Sequence, residues 1–246
     1  MIVTSCHTYI YCYKINTGNS QPEMIDIRQN NQGATYDMVY YLNLLGTAIF
    51  AVGGALAAAR KGMDLFGVVV AAVLTAMGGG TLRDLCLGVS PVNWVTDSSG
   101  IVIAVITGTV TFALLSFRRL SYVPFKYLNV ADAFGLALFT VIGCETALSL
   151  NANPIIVVIM GMLTGSGGGI MRDVFSGEIP LFFRKEIYAT ACLVGGMAYL
   201  AFLAAAIPNG GAMLGGAVVT LAIRLAAIRW GLSLPNLAQQ ADTLKI

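Results

Sequence analysis

Seven apolar stretches follow one another along the chain, and each is long enough to cross a membrane as one helix. A transmembrane helix needs about 20 apolar residues, within a range of roughly 17–25. Short polar or basic segments separate the stretches, so the pattern predicts an all-α membrane protein with seven transmembrane helices. These predicted helices cover residues 37–59, 65–87, 100–117, 131–150, 154–177, 187–207 and 211–228.

The two ends of the chain lie outside this predicted membrane domain of residues 37–228. Residues 1–36 are polar and lack the basic start, apolar centre and cleavage site of a signal peptide. We expect them to form a disordered tail outside the fold. Residues 229–246 form a second tail, which the charge pattern described below assigns to the cytoplasm.

One motif occurs twice, which makes it the main feature of the sequence. The pattern T-x-x-G-G-G-x-x-R-D-x-x-x-G-x-x-P occupies residues 75–91 and returns at residues 164–180, an offset of 89 positions.

A second pattern, G-x-x-x-F-x-x-x-G, has the same offset between the first and fourth helices. Its expected role is helix packing, because small residues let membrane helices approach closely. Its members are Gly46, Phe50 and Gly54, followed by Gly135, Phe139 and Gly143.

The shared offset divides the membrane domain into two repeats of three helices, residues 37–117 and 126–207. An odd number of crossings reverses the direction of the chain, so the sequence predicts that the repeats are inverted relative to each other. Inverted repeats are found in several transporter folds. The seventh helix, residues 211–228, has no counterpart and stands outside the repeat.

The triple glycines fall within the second and fifth predicted helices. Three consecutive glycines lower the cost of leaving helical geometry, so we expect these helices to be kinked and broken there. Freed backbone groups would then line a polar path near the middle of the membrane. The alternative is that the glycines only allow tight packing. The candidate ion-pathway residues are Thr75, Gly78, Gly79, Gly80, Arg83 and Asp84, with Thr164, Gly167, Gly168, Gly169, Arg172 and Asp173 in the second copy.

The two arginines need a partner or water, because a charge at the centre of a bilayer costs at least ~2.5–3.5 kcal/mol. Each arginine either pairs with a carboxylate of the other repeat or lines the pore, and the two roles are compatible. Its sequence neighbour is expected to point to a different face of the helix. Asp132 and Glu145 are expected to be solvated near the two ends of the fourth helix.

The threonine of each motif has two possible roles. Its hydroxyl can face the ion pathway, or it can donate a hydrogen bond to the carbonyl four residues earlier, as threonines in membrane helices commonly do.

Composition and charge support the membrane assignment and exclude several other classes. The chain is 57% hydrophobic and 11% charged, whereas a soluble domain is about 25% charged. A net charge of +2 without a basic stripe argues against a nucleic-acid partner. The motifs of zinc proteases, α/β-hydrolases and P-loop proteins are absent, and the cysteines form no metal-binding pattern. We therefore expect no enzyme activity, metal or cofactor.

The lysines and arginines between the predicted helices are concentrated on one side of the membrane. Basic loops lie in the cytoplasm, so the pattern predicts an external N-terminus and a cytoplasmic C-terminus. The basic residues on this side are Arg60, Lys61, Arg118, Arg119, Lys126, Arg184, Lys185, Arg229 and Lys245.

The twin G-G-G-x-x-R-D segments and the run at residues 184–191 resemble the prokaryotic branch of the trimeric intracellular cation (TRIC) channel family. The resemblance covers roughly residues 38–235. It implies a homotrimer in the cell membrane in which each protomer has a pore around two kinked helices that passes monovalent cations, chiefly potassium. By motif position, the pore assignment falls on the six glycines of the two motifs together with Arg83 and Arg172.

Two other functions are consistent with the residues. One is a carrier for a small solute such as an amino acid, which would use the same inverted repeat for alternating access. The other is a membrane-bound enzyme or binding protein with phosphate at the N-terminus of a half-helix near Arg83 or Arg172.

Overall fold

The computed structural model describes residues 27–117, 125–184 and 187–231. Within these residues the chain forms helices and no strand. The helices are α1 (Ile27–Arg60), α2 (Leu65–Cys86), α3 (Asn93–Thr96), α4 (Ser99–Phe117), α5 (Phe125–Ser149), α6 (Pro154–Phe175), α7 (Leu181–Arg184), α8 (Ile187–Ala204) and α9 (Asn209–Trp230).

Seven of these helices are long and apolar enough to cross a membrane. They are α1 from Asp37 onward, α2, α4, α5 from Tyr127 onward, α6, α8 and α9, so the predicted all-α fold with seven transmembrane helices is confirmed. Helix α1 also includes residues 27–36, which the sequence assigned to the disordered tail. The rest of that tail and residues 232–246 lie outside the described residues.

Helices α2 and α6 begin with matching signals. Asp64 accepts a hydrogen bond from the backbone N–H of Gly67 at 2.8 Å, and Asn153 accepts one from the N–H of Ile155 at 3.2 Å. Such caps satisfy N–H groups that have no partner within the helix. Pro154 occupies the first turn of α6, where its missing N–H costs nothing.

The same two helices end with the glycine of the repeated motif. Gly88 and Gly177 have φ values of +70° and +67°, a left-handed conformation that glycine adopts without strain. After Gly88, the N–H of Val89 donates to the carbonyl of Asp84 at 2.8 Å, and Glu178 donates to Asp173 at the same distance. This is the Schellman arrangement, so the fourth glycine of each motif is a helix stop.

The triple glycines do not interrupt either helix. Helix α2 continues as α-helix from Leu65 to Cys86, and α6 continues from Pro154 to Phe175. The prediction that both helices are broken at the glycines is therefore wrong. The physical reason is that the glycines have another task here, which is to let the two helices touch.

Backbone meets backbone where α2 and α6 cross. A Cβ atom built on Gly79 would overlap the carbonyl oxygen of Thr164, and one built on Gly168 would overlap the carbonyl oxygen of Thr75. A Cβ on Gly167 would lie 2.9 Å from the Cα of Gly79. No side chain larger than hydrogen fits between the helices at these positions.

The remaining long helices surround this crossing. Helices α1 and α4 pack against α2, and α5 and α8 pack against α6. Helix α9 lies against α5 and α8, outside the repeat. The short helix α3 follows α2, and the short helix α7 follows α6. In each repeat, therefore, a short helix separates the glycine helix from the last transmembrane helix.

Candidate functional site

The two Arg-Asp pairs lie at opposite ends of the bundle. Arg83 and Asp84 are near the start of α3, and we call this the Asn93 end. Arg172 and Asp173 are near the loop between α1 and α2, and we call this the Lys61 end. The inverted repeat places the two copies of the motif in this way.

At the Asn93 end, Arg83 pairs with its own neighbour in the sequence. Its Nε and Nη2 atoms donate to Asp84 Oδ1 at 2.9 Å and 2.7 Å. The other carboxylate oxygen, Asp84 Oδ2, accepts from the backbone N–H of Asn93 at 2.9 Å. Both charged side chains are buried, and the aspartate thereby joins the arginine to the first residue of α3.

The Lys61 end repeats this arrangement. Arg172 Nε donates to Asp173 Oδ1 at 2.8 Å, and Asp173 Oδ2 accepts from the N–H of Leu181, the first residue of α7, at 2.9 Å. The prediction that each arginine pairs with a carboxylate of the other repeat is therefore wrong. The long arginine side chain folds back to its neighbour, although adjacent residues start on different faces of a helix.

Arg172 has a second carboxylate partner, Asp132 of α5. Arg172 Nη1 lies 2.5 Å from Asp132 Oδ1, and both side chains are fully buried. Tyr188 donates its hydroxyl to the same oxygen at 3.1 Å. The expectation that Asp132 is solvated is wrong, because burial of Arg172 requires a nearby negative charge. Glu145 is half-buried and accepts a hydrogen bond from Tyr199.

The two ends differ in charge around the arginine. The position equivalent to Asp132 in the first repeat is Asn43, which is neutral. Arg224 of α9, 2% exposed, lies over the ring of Tyr188 with its guanidinium carbon 4.7 Å from the ring centroid. The Lys61 end therefore contains a larger buried network of charges than the Asn93 end.

A cavity opens at each end of the bundle. The one at the Lys61 end has a volume of about 130 Å³, and the one at the Asn93 end has a volume of about 70 Å³. Six pairs of lining residues are related by the offset of 89, so the cavities are equivalent parts of the two repeats. These pairs are Val39 and Leu128, Asp84 and Asp173, Val89 and Glu178, Thr146 and Ala57, Ser149 and Arg60, and Leu150 and Lys61.

The mouths of these equivalent cavities differ. Lys61 Nζ and Glu178 Oε1 form an ion pair at 2.6 Å at the mouth of the Lys61-end cavity. The equivalent positions at the Asn93 end are Leu150 and Val89, both apolar. One mouth therefore carries an ion pair between the two repeats where the other carries two aliphatic side chains.

Phe50 and Phe139 stack beside the crossing of α2 and α6. Their ring centroids are 5.1 Å apart with an angle of 25° between the planes, and both rings are buried. A Cβ on Gly46 would lie 3.1 Å from Phe139, and one on Gly135 would overlap Phe50. Each phenylalanine thus lies against the glycine of the other repeat.

The motif threonines lie in the same region, next to the outer glycines of the helix-packing set. Thr75 Oγ1 donates to the carbonyl of Ala71 at 2.6 Å, and Thr164 Oγ1 donates to that of Met160 at 2.6 Å. A Cβ on Gly54 would come within 2.5 Å of Thr75 Oγ1, and one on Gly143 would overlap Thr164. Both hydroxyls therefore hold a bond within their own helix.

The predicted ion-pathway residues form two groups. Gly79, Gly167 and Gly168 lie at the helix crossing, whereas Arg83 lines the Asn93-end cavity, and Asp84 and Asp173 each line the cavity at their own end. The other glycines face side chains. A Cβ on Gly78 would overlap Met171, one on Gly169 would overlap Tyr188, and one on Gly80 would lie 3.8 Å from Arg83.

Sequence reasoning missed several residues of this site. Asp132, Tyr188 and Arg224 meet only in the folded protein, and the first two are 56 positions apart. The offset of 89 provides a partial signal, because the exchange of Asn43 for Asp132 marks a difference between otherwise equivalent positions.

Comparison with known proteins identifies the same repeat. A family model described as Glycine transporter matches the chain twice, over residues 40–116 and 129–204. The UPF0126 inner membrane protein YadS of Escherichia coli strain K12 is 48% identical over 202 residues, 82% of this chain and 97% of that protein. A UPF0126 membrane protein of Vibrio cholerae is 47% identical over 201 residues, 82% of this chain and 83% of that protein.

Solved structures of cation channels share the fold. The TRIC trimeric intracellular cation channel orthologue from Rhodobacter sphaeroides is 39% identical with a TM-score of 0.74, covering 79% of this chain and 99% of that chain. A second TRIC cation channel structure is 36% identical with a TM-score of 0.71, covering 80% of this chain and 95% of that chain.

Proposed function

Because the chain belongs to the TRIC cation channel family, we propose that it is a passive channel for monovalent cations, chiefly potassium. Similarity to TRIC cation channels at 36–39% identity supports cation conduction. The proposed pathway runs through each protomer, from the cavity at one end to the equivalent cavity at the other.

The observation that carries this proposal is the pair of equivalent cavities with a buried, neutralised arginine beside each. A lone arginine would repel a cation, but Arg83 and Arg172 each donate to an aspartate within 2.9 Å. Such paired charges leave no net positive field, and Asp84 and Asp173 line the cavities at their own ends. A cation can therefore approach along the cavity walls.

The stacked rings of Phe50 and Phe139 form the proposed barrier between the two halves of the pathway. An apolar constriction excludes water and so blocks ions. We infer that conduction requires these rings to separate. Bending of α2 and α6 at their glycines is the motion that would displace Phe50 from Phe139, since Phe50 lies against Gly168 of α6.

The proposal includes a membrane setting and an assembly. Seven apolar helices and relatives that are inner membrane proteins support a multi-pass protein of the cell membrane. The sequence concentrates lysine and arginine on the side of the membrane that includes Arg60 and Lys61, which supports a cytoplasmic position for the Lys61 end. The relative from Rhodobacter sphaeroides is a trimeric channel, and we propose a homotrimer here, which a mass measurement of the purified protein in detergent tests.

Reconstitution into planar bilayers tests the channel directly. The expected result is discrete current steps whose reversal potential follows a potassium gradient. Step-free, saturable uptake of labelled glycine into liposomes, without such currents, would instead support the carrier and overturn the proposal.

A further inference from the structure

A third, smaller cavity adjoins the 70 Å³ cavity at the Asn93 end, and Asn43, Arg83, Asp84 and Asn93 line both. Its volume is about 30 Å³, which is enough for one or two water molecules or one cation of similar size. Helices α1, α2, α3 and α4 contribute to its wall, and Phe139 of the proposed barrier forms part of it. A solute in this cavity would therefore lie next to the stacked rings.

Thr47 lines this cavity and has an unusual hydroxyl. Its side chain is fully buried, and Oγ1 has no hydrogen-bond partner. Eight other threonines in the described helices donate to the carbonyl four residues earlier: Thr75, Thr81, Thr109, Thr111, Thr140, Thr146, Thr164 and Thr220. A buried polar atom without a partner costs free energy, so the missing bond points to a ligand in the cavity.

The cavity walls favour a cation over an anion. Asp84 and Asp97 each contribute a negative charge and Arg83 a positive charge, which leaves one net negative charge around the cavity. Asn43 also lines it and is one helical turn before Thr47, so both side chains lie on the same face of α1. A threonine hydroxyl and an amide oxygen are neutral oxygen donors of the kind that hard cations bind.

The ligand chemistry is that of a monovalent ion. Among the described residues, no group of three or more His, Cys, Asp and Glu side chains is placed to hold a metal ion. Neutral oxygens with a single net charge nearby suit a cation that must enter and leave quickly. The site also belongs to one end only, because the position equivalent to Thr47 is Leu136, a buried aliphatic residue.

We propose that this cavity is a binding site for one partly dehydrated monovalent cation, with Thr47 Oγ1 as a ligand, immediately before the Phe50 and Phe139 barrier. This inference rests on the proposed channel function and adds to it a residue that determines ion affinity. The site makes the two halves of the pathway functionally different, although their backbones are equivalent.

Single-channel recording at increasing KCl concentration tests the site in the full-length protein. Thr47→Val removes the hydroxyl while keeping the shape of the side chain. We expect the concentration that gives half-maximal conductance to rise about fivefold to tenfold, the effect of losing one polar contact. Thr47→Ser keeps the hydroxyl and should remain near the wild-type value.

Thr140→Val is the matched control, because Thr140 is equally buried but its hydroxyl bonds within its own helix at 2.7 Å. This variant should show unchanged potassium dependence. Wild-type currents combined with an unchanged Thr47→Val variant would overturn the inference and leave the channel function standing. Absence of wild-type currents would overturn the channel function itself.

A second measurement tests binding without conduction. Crystals of the full chain grown with rubidium or thallium salts should show anomalous scattering within bonding distance of Thr47 Oγ1, and Thr47→Val crystals should show none. Density at this position without an anomalous signal would mean that the cavity holds only water, and this result would overturn the inference.

Discussion

At the scale of single residues, the glycines of each triplet differ in what a methyl group would meet. At Gly79 an added carbon would meet the backbone of α6, whereas at Gly80 it would meet only Arg83 Nη2, at 3.8 Å. A backbone carbonyl cannot rotate away as a side chain can. Gly79 and Gly80 are adjacent and identical, but only Gly79 lacks room for a side chain.

The first prediction compares alanine at these two positions. Gly79→Ala should destabilise the protein by about 1–3 kcal/mol, because the helices must move apart. Gly80→Ala should be neutral or stabilise the protein by about 0.5–1 kcal/mol, as alanine favours the helix. Thermal denaturation of the detergent-purified variants measures both changes. Equal melting temperatures would contradict the backbone contact.

The second prediction concerns the buried charges around Arg172. Arg172→Met leaves Asp132 without its charged partner and should cost about 3–5 kcal/mol. Asp132→Asn should cost less, because Arg172 keeps Asp173 as Arg83 keeps Asp84. This variant also recreates the neutral residue found at Asn43. A larger loss for Asp132→Asn than for Arg172→Met in thermal denaturation would contradict this account.

At the scale of helices, hydropathy predicts the bounds of the two glycine helices to within two residues, although α1 and α5 begin earlier than predicted. The predicted second helix, residues 65–87, differs from α2 by one residue at its end, and the predicted fifth differs from α6 by two. Lipid requires a long apolar segment, so the length is visible in the sequence. A glycine triplet can break a helix or let it pack closely against a neighbouring helix. Which of these happens depends on the neighbouring helix, which the sequence does not show.

The third prediction tests the helix stops. Gly88 has φ +70° and no atom within 4 Å of a built Cβ, so a side chain there meets only backbone strain. Gly88→Ala should therefore cost about 1–2 kcal/mol. Gly88→Asn should cost less, because asparagine tolerates this conformation better. Thermal denaturation that ranks alanine above asparagine in stability would contradict the assigned left-handed conformation.

At the scale of the whole molecule, the constant offset predicts the inverted repeat. It does not predict how the charged residues around Arg83 differ from those around Arg172. The repeat predicts equivalent surroundings for Arg83 and Arg172. The folded protein differs from this because α9, which has no counterpart, brings Arg224 to Tyr188 at one end only. Differences between the halves arise from residues that do not follow the repeat, such as Thr47 and Asp132.

We propose that one cation pathway crosses each protomer and is closed by Phe50 and Phe139. Single-channel conductance of Phe139→Ala in planar bilayers tests this claim most directly, with Phe134→Ala as the control because Phe134 is on the same helix and 41% exposed. The account predicts a larger potassium conductance or a longer open time for Phe139→Ala and wild-type behaviour for Phe134→Ala. Wild-type currents from a correctly assembled Phe139→Ala protein would contradict it.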